Sequence, residues 1–215
     1  MLLVVISPES FDPKEKLVVR EMLKGGLARY HVRKPQWNET EVVQWAEGFS
    51  TDERSHFVLH GSAVLARRLG FGGVHERDAK ESAVIPQNDN ALPRLWRSRS
   101  CHSPQQVQAS FGVYDSVFLS PVFPSISKAG YGPSKSWNDR DLQELLSRRS
   151  AADHRTRVIA LGGIQKSTTS QCRELGFDGV AALGAIWETA DPVSAFIELR
   201  DACSAFAGLP LLARA

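Results

Sequence analysis

Asp115-Ser-Val-Phe-Leu-Ser-Pro-Val-Phe-Pro-Ser-Ile-Ser-Lys128 and, further along, Val158-Ile-Ala-Leu-Gly-Gly-Ile164 decide the fold. Each is a short apolar run that empties into a loop of small residues: hydroxyls and a lysine in the first, a glycine pair in the second. Continuous apolar runs of this length are buried on both faces, as strands of a parallel sheet are. Loops of hydroxyls, glycines and a lysine at strand ends are the groups that hold a phosphate at the carboxyl end of a (β/α)8 barrel. The two segments therefore predict an anionic substrate without naming a reaction.

The same alternation runs outward through all 215 residues. Residues 2–7, 28–34, 56–60 and 73–75 read as the first four strands; 94–102, 115–120, 158–161 and 179–183 complete the eight. Between them the apolar spacing turns helical, as with Leu17, Val18, Met22 and Leu23 before the Gly25-Gly26 stop. Further helices are read over 40–46, 63–69, 105–111, 139–149, 168–175 and 192–206. Thr40 is taken as a cap, and Ser103-Pro104 as a cap and first helical residue. Glu39, Glu41, Glu47, Asp52 and Glu53 read as one solvated helix face. The prediction is an α/β protein, a single TIM barrel domain over residues 1–215, with its fourth crossover least regular. A doubly wound open sheet competes, but Ile6-Ser-Pro-Glu9 lacks the glycines of a dinucleotide loop.

Composition narrows the partners. A hydrophobic fraction of 42%, 23% charged residues and a formal charge of +2 describe a globular protein with no nucleic-acid or membrane surface. Cys101, Cys172 and Cys203 are too few and too irregular for a disulfide framework, and no pair has zinc-finger spacing. The apolar start, Met1-Leu-Leu-Val-Val-Ile-Ser7, is too short to span a bilayer and lacks a basic flank, so the expected location is the cytoplasm.

Histidines carry a second line of chemistry. His31, His60, His75 and His102 fall near the ends of separate predicted strands, which a barrel brings toward one mouth. Such a group offers acid–base catalysis, or a transition-metal site if two or three converge, although the spacing is no metal motif. Strand alternation turns His31 and Arg33 to the same side. It turns Cys101 away from its neighbours Ser100 and His102, which argues against a Cys-His pair. His56 reads as a strand-edge or surface residue. The loop 122–137, with Gly130, Tyr131, Gly132 and Trp137, suits a closing lid, a fixed cover or the contact of a homodimer.

Taken in order, His31-Val-Arg-Lys-Pro35, Gly73-Val-His75, Ser100-Cys-His102, Ser120-Pro-Val-Phe-Pro-Ser-Ile-Ser-Lys128, Ala160-Leu-Gly-Gly-Ile164 and Gly179-Val-Ala-Ala-Leu-Gly184 resemble the thiamine phosphate synthase and thiazole tautomerase family over nearly the whole chain. The resemblance implies a barrel that joins a hydroxymethylpyrimidine diphosphate to a thiazole phosphate with release of pyrophosphate. In the tautomerase branch it implies proton transfer on the thiazole. It places Arg33 and Lys128 near phosphoryl oxygens as catalytic groups, with Ser125 and Ser127 donating to the same oxygens. Gly162, Gly163 and Gly184 would seat the thiazole phosphate, Ser100 would bind substrate, and His31 or His102 would serve as the base in proton transfer.

The chain also departs from the pattern. His60-Gly61 stands where an Asn-Asp pair is expected, His31 where a glutamine is, Pro35 where a lysine is, and Pro121 where the tautomerase branch has a histidine. The implied Mg2+ would have to be recruited by Asp78, Glu76 or the substrate itself. Three readings follow: a synthase-like transferase, a thiazole phosphate tautomerase-like enzyme, and a noncatalytic barrel that binds or senses a phosphometabolite.

Overall fold

A computed structural model describes residues 1–76, 94–124 and 137–205. Their order is β1 (Leu2–Ile6), α1 (Glu15–Lys24), β2 (Arg29–Val32), α2 (Glu39–Ala46), α3 (Thr51–Ser55), β3 (Phe57–His60), α4 (Ala63–Arg68), β4 (Gly73–Glu76), β5 (Trp96–Cys101), α5 (Pro104–Gln108), β6 (Ser116–Leu119), α6 (Asp139–Ser147), β7 (Arg157–Leu161), α7 (Thr169–Glu174), β8 (Gly179–Ala182), α8 (Gly184–Trp187) and α9 (Pro192–Ser204). Every strand is parallel to its neighbours, and β8 pairs with β1 to close the barrel. The expected TIM barrel is the observed one. Asp78, the fourth crossover and most of the 122–137 loop, with Ser125, Ser127, Lys128, Gly130, Tyr131 and Gly132, lie outside the described residues.

Strand alternation divides the core in two. One set of side chains, including Val5, Val32, Leu59, Val74 and Cys101, packs outward under the helices. The other points into the barrel, where Val4, Ile6, Phe118, Ile159 and Ala181 form a compact apolar cluster. These interior residues come from β1, β6, β7 and β8. The interior of β2 to β5 carries His31, His60, His75, Ser98 and Ser100 beside Val58, so one side of the barrel is apolar and the other mostly polar.

Helix starts correct the sequence reading at two places. The second helix is capped by Asn38, not Thr40: Asn38 accepts from the Glu41 N–H while the Glu41 carboxylate accepts from the Asn38 N–H. The acidic stretch is not one helix face, because a second capping box between Ser50 and Glu53 starts α3 afresh. The expected Ser103-Pro104 start of α5 stands, with Ser103 Oγ accepting from the Gln106 N–H.

Lys34 has a role the sequence reading missed. Its ammonium and the Glu15 carboxylate are both buried, 2.6 Å apart, and it also donates to the carbonyls of Pro8 at 2.7 Å and Ser10 at 3.1 Å. Tyr30 Oη donates to the other Glu15 oxygen at 2.7 Å. Three acceptors match the three donors of an ammonium, so Lys34 pins the β1–α1 loop to the end of β2.

Candidate active site

Three histidines meet inside the barrel. His31, His60 and His75 sit on the adjacent strands β2, β3 and β4, with His60 and His75 directly opposite in register. One nitrogen from each ring lies within 4.8 Å of the others, and among the described residues this is the only convergence of three or more such ligand groups. His31 Nδ1 is 3.0 Å from His60 Nε2, while the His60 and His75 rings stack at 4.1 Å. His75 is bracketed by hydroxyls, with Ser98 Oγ 2.9 Å from Nδ1 and Ser100 Oγ 3.0 Å from Nε2. Phe118 closes the cluster from across the barrel, 4.8 Å from the His31 ring and 5.1 Å from that of His75.

Burial sets the protonation of this group. Loss of hydration holds the His31 imidazole well below its ordinary pKa, and the nearby His75 and Arg29 act in the same direction. His75 is lowered to about 3, chiefly by burial; Glu76 opposes the shift, and Arg33 and Arg99 add to it. Both rings are therefore neutral at pH 7, each with one nitrogen that carries a proton and one that accepts.

The other expected residues divide. Arg33 stands half-buried just beyond β2, its N–H donating to Ser7 Oγ at 2.8 Å and its guanidinium paired with Glu9. Ser100 is drawn into the cluster through His75. His102 is not: it is exposed, past the end of β5, with Nδ1 3.0 Å from the Ser120 carbonyl. Glu76 follows His75 on β4 and turns the opposite way, its carboxylate held by Arg97 Nε at 2.7 Å and Tyr114 Oη at 3.0 Å. Cys101 is buried under α5, 3.8 Å from Ser110 Oγ, and turned away from Ser100 as expected.

Gly162 and Gly163 follow β7, and Gly184 follows the neighbouring β8, so the two turns lie side by side at the carboxyl end of the barrel. Gly163 has φ 64°, and a Cβ there would meet the Pro124 carbonyl at 2.4 Å and Phe123 Cβ at 2.6 Å. The glycine is thus required by the close approach of the loop after β6, whatever the turn binds.

Magnesium is a poor fit to the described residues. It prefers about six hard oxygens in octahedral array, whereas the converging groups here are imidazole nitrogens and Glu76 faces away.

Comparison with known proteins agrees with the fold. Thiamine-phosphate synthases of Listeria welshimeri and Anoxybacillus flavithermus are 24% and 26% identical, covering 81% and 79% of this chain and 85% and 77% of their own. The crystal structure of thiamine phosphate pyrophosphorylase from Bacteroides thetaiotaomicron superposes with a TM-score of 0.76 at 22% identity, covering 95% of this chain and 98% of that one. The Pyrococcus furiosus thiamine phosphate pyrophosphorylase gives 0.73 at 21% identity, covering 96% and 97%. The sequence profile described as thiamine monophosphate synthase matches residues 2–186, and the chain accordingly belongs to the thiamine monophosphate synthase family.

Proposed function

We propose that this protein is a thiamine phosphate synthase-like transferase of thiamine biosynthesis, acting in the cytoplasm. It joins a hydroxymethylpyrimidine diphosphate to a thiazole phosphate. The observation that carries this reading is the family match over residues 2–186, backed by synthases that align along most of their own length. In the reaction the bond from the pyrimidine methylene carbon to the diphosphate oxygen breaks, the electron pair leaving with pyrophosphate. The thiazole nitrogen then forms the new bond to that carbon. Arg33 and Lys128 neutralise the departing charge, with Ser125 and Ser127 as donors and Gly162, Gly163 and Gly184 seating the thiazole phosphate. The support for Arg33 is its place directly after β2, the strand that carries His31. Incubating the purified protein with both substrates and Mg2+ is expected to yield thiamine phosphate and pyrophosphate; product no greater than in a protein-free control overturns the reading.

One observation favours a second reading, proton transfer on a phosphorylated thiazole. The contact of His31 with His60 offers a base that needs no diphosphate clamp, although burial lowers the basicity of His31. Solvent deuterium entering a thiazole carboxylate phosphate, at a rate cut by His31→Ala, is the expected result. No exchange above the protein-free rate excludes it.

A further inference from the structure

We propose that His31, His60 and His75 form a three-imidazole seat for a divalent transition ion of the zinc class at the centre of the barrel. The proposal stands on the geometry of these rings and does not rest on the synthase reading.

The three ligands come from adjacent strands of a closed barrel, so their Cα positions are fixed by backbone pairing and not by a loop. Zinc–imidazole bonds of about 2.0–2.1 Å in a tetrahedron put ligand nitrogens about 3.3 Å apart. His31 Nδ1 and His60 Nε2 are already 3.0 Å apart, and the widest separation in the trio is bounded by 4.8 Å. Closing the set requires a tautomer change that gives up the His31–His60 hydrogen bond and a turn of the stacked His60 and His75 rings toward a common point.

The surroundings support an ion as well as the ligands do. Ser98 Oγ lies 2.9 Å from His75 Nδ1 and 3.4 Å from the Val74 carbonyl, a chain that fixes the ring and leaves Nε2 as the lone-pair nitrogen. Metal-bound histidines carry outer partners of this kind, which orient the ring and raise its basicity. Nε2 faces Ser100, whose half-buried hydroxyl must give way to the ion. Phe118 shields the rings from the apolar side. Nitrogen donors without a converging carboxylate suit zinc, cobalt or nickel better than magnesium or calcium. Three neutral ligands leave the ion its full double charge, so its fourth position favours an anionic oxygen such as hydroxide or a phosphoryl group.

The test uses the full chain without a histidine tag, stripped with a chelator and titrated with Co2+ and then Zn2+. A cobalt spectrum typical of tetrahedral nitrogen ligation and saturation at one ion per chain are expected. His60→Ala should weaken Zn2+ binding by more than the roughly 10–100-fold that loss of an outer partner costs, and Ser98→Ala by about that amount. His56→Ala, at a ring bonded only to the Ala28 carbonyl among its described contacts, should bind like the unaltered protein. Absence of saturable binding shows a hydrogen-bonded histidine cluster only and overturns the proposal. Equal affinity in the His60→Ala and unaltered proteins places the ion elsewhere and overturns it too. If His60→Ala does not fold, His60→Gln and Ser98→Ala serve the same comparison.

Discussion

At the scale of single residues, the buried pair of Lys34 and Glu15 is sensitive to the loss of either partner. Burial pushes the Glu15 carboxyl above its ordinary range, although Lys34 and Tyr30 both favour its charged form. The pair is therefore held in place by its hydrogen bonds more than it contributes net stability. Lys34→Met leaves a buried carboxylate with one partner gone and is expected to cost about 3–5 kcal/mol. The double change Lys34→Met with Glu15→Gln should cost clearly less than the sum of the two single changes. Urea denaturation of the four proteins gives the cycle directly, and simple additivity would contradict it. Cysteines supply a second residue-scale expectation. Cys101, Cys172 and Cys203 are buried, and burial raises all three thiols, that of Cys172 to about 12. At pH 8 a thiol with such a pKa is thiolate in about one molecule in ten thousand. A thiol-reactive dye should find no fast-reacting cysteine in the folded protein, and all three once denaturant is added.

At the scale of elements, the turn after β7 ties two loops together. Gly163→Val demands a positive φ of a β-branched residue and drives its Cβ into Phe123 and Pro124. The loop after β6 must then move, and with it the start of the segment proposed to carry Ser125, Ser127 and Lys128. The expected outcome is a joint loss: lower thermal stability together with weaker thiazole phosphate binding. Calorimetric titration and a thermal melt on the same sample check it, and weakened binding with an unchanged melt would mean that the loop does not depend on the glycine. Lys128→Ala, by contrast, should reduce turnover more than thiazole phosphate affinity, since its charge is placed where charge develops.

At the scale of the whole molecule, the barrel interior is split between an apolar side on β1, β6, β7 and β8 and a histidine–serine side on β2 to β5. Phe118 sits on the boundary, fully buried and touching both His31 and His75. Phe118→Ala should cost about 3–5 kcal/mol through the cavity it leaves. It should also admit water beside the two rings and raise the histidine pKa values that burial holds down. Histidine ring resonances followed against pH would register this, whereas Phe118→Leu, which keeps the site apolar, should leave them nearly unshifted.

Local pattern was enough to establish much of this architecture. Period-2 alternation, β-branched runs and glycine stops are written in neighbouring residues, so the eight strands and the Ser103-Pro104 helix start could be read directly. The same alternation put His31 inward and turned Cys101 away from Ser100. The Asn38 and Ser50 capping boxes were equally local signals, visible as a polar cap three residues before a glutamate. Which histidines meet was not local. It depends on the register between β2, β3 and β4 and on closure of the ring, which bring His31, His60 and His75 together and leave His102 outside. Lys34 shows the same limit: one residue from the lysine position expected by family resemblance, it is consumed by Glu15, a partner 19 residues earlier. Periodicity along a chain determines which face a side chain occupies, but only the packed tertiary structure decides what that face meets, because contact partners are set by distances between strands that no single segment encodes.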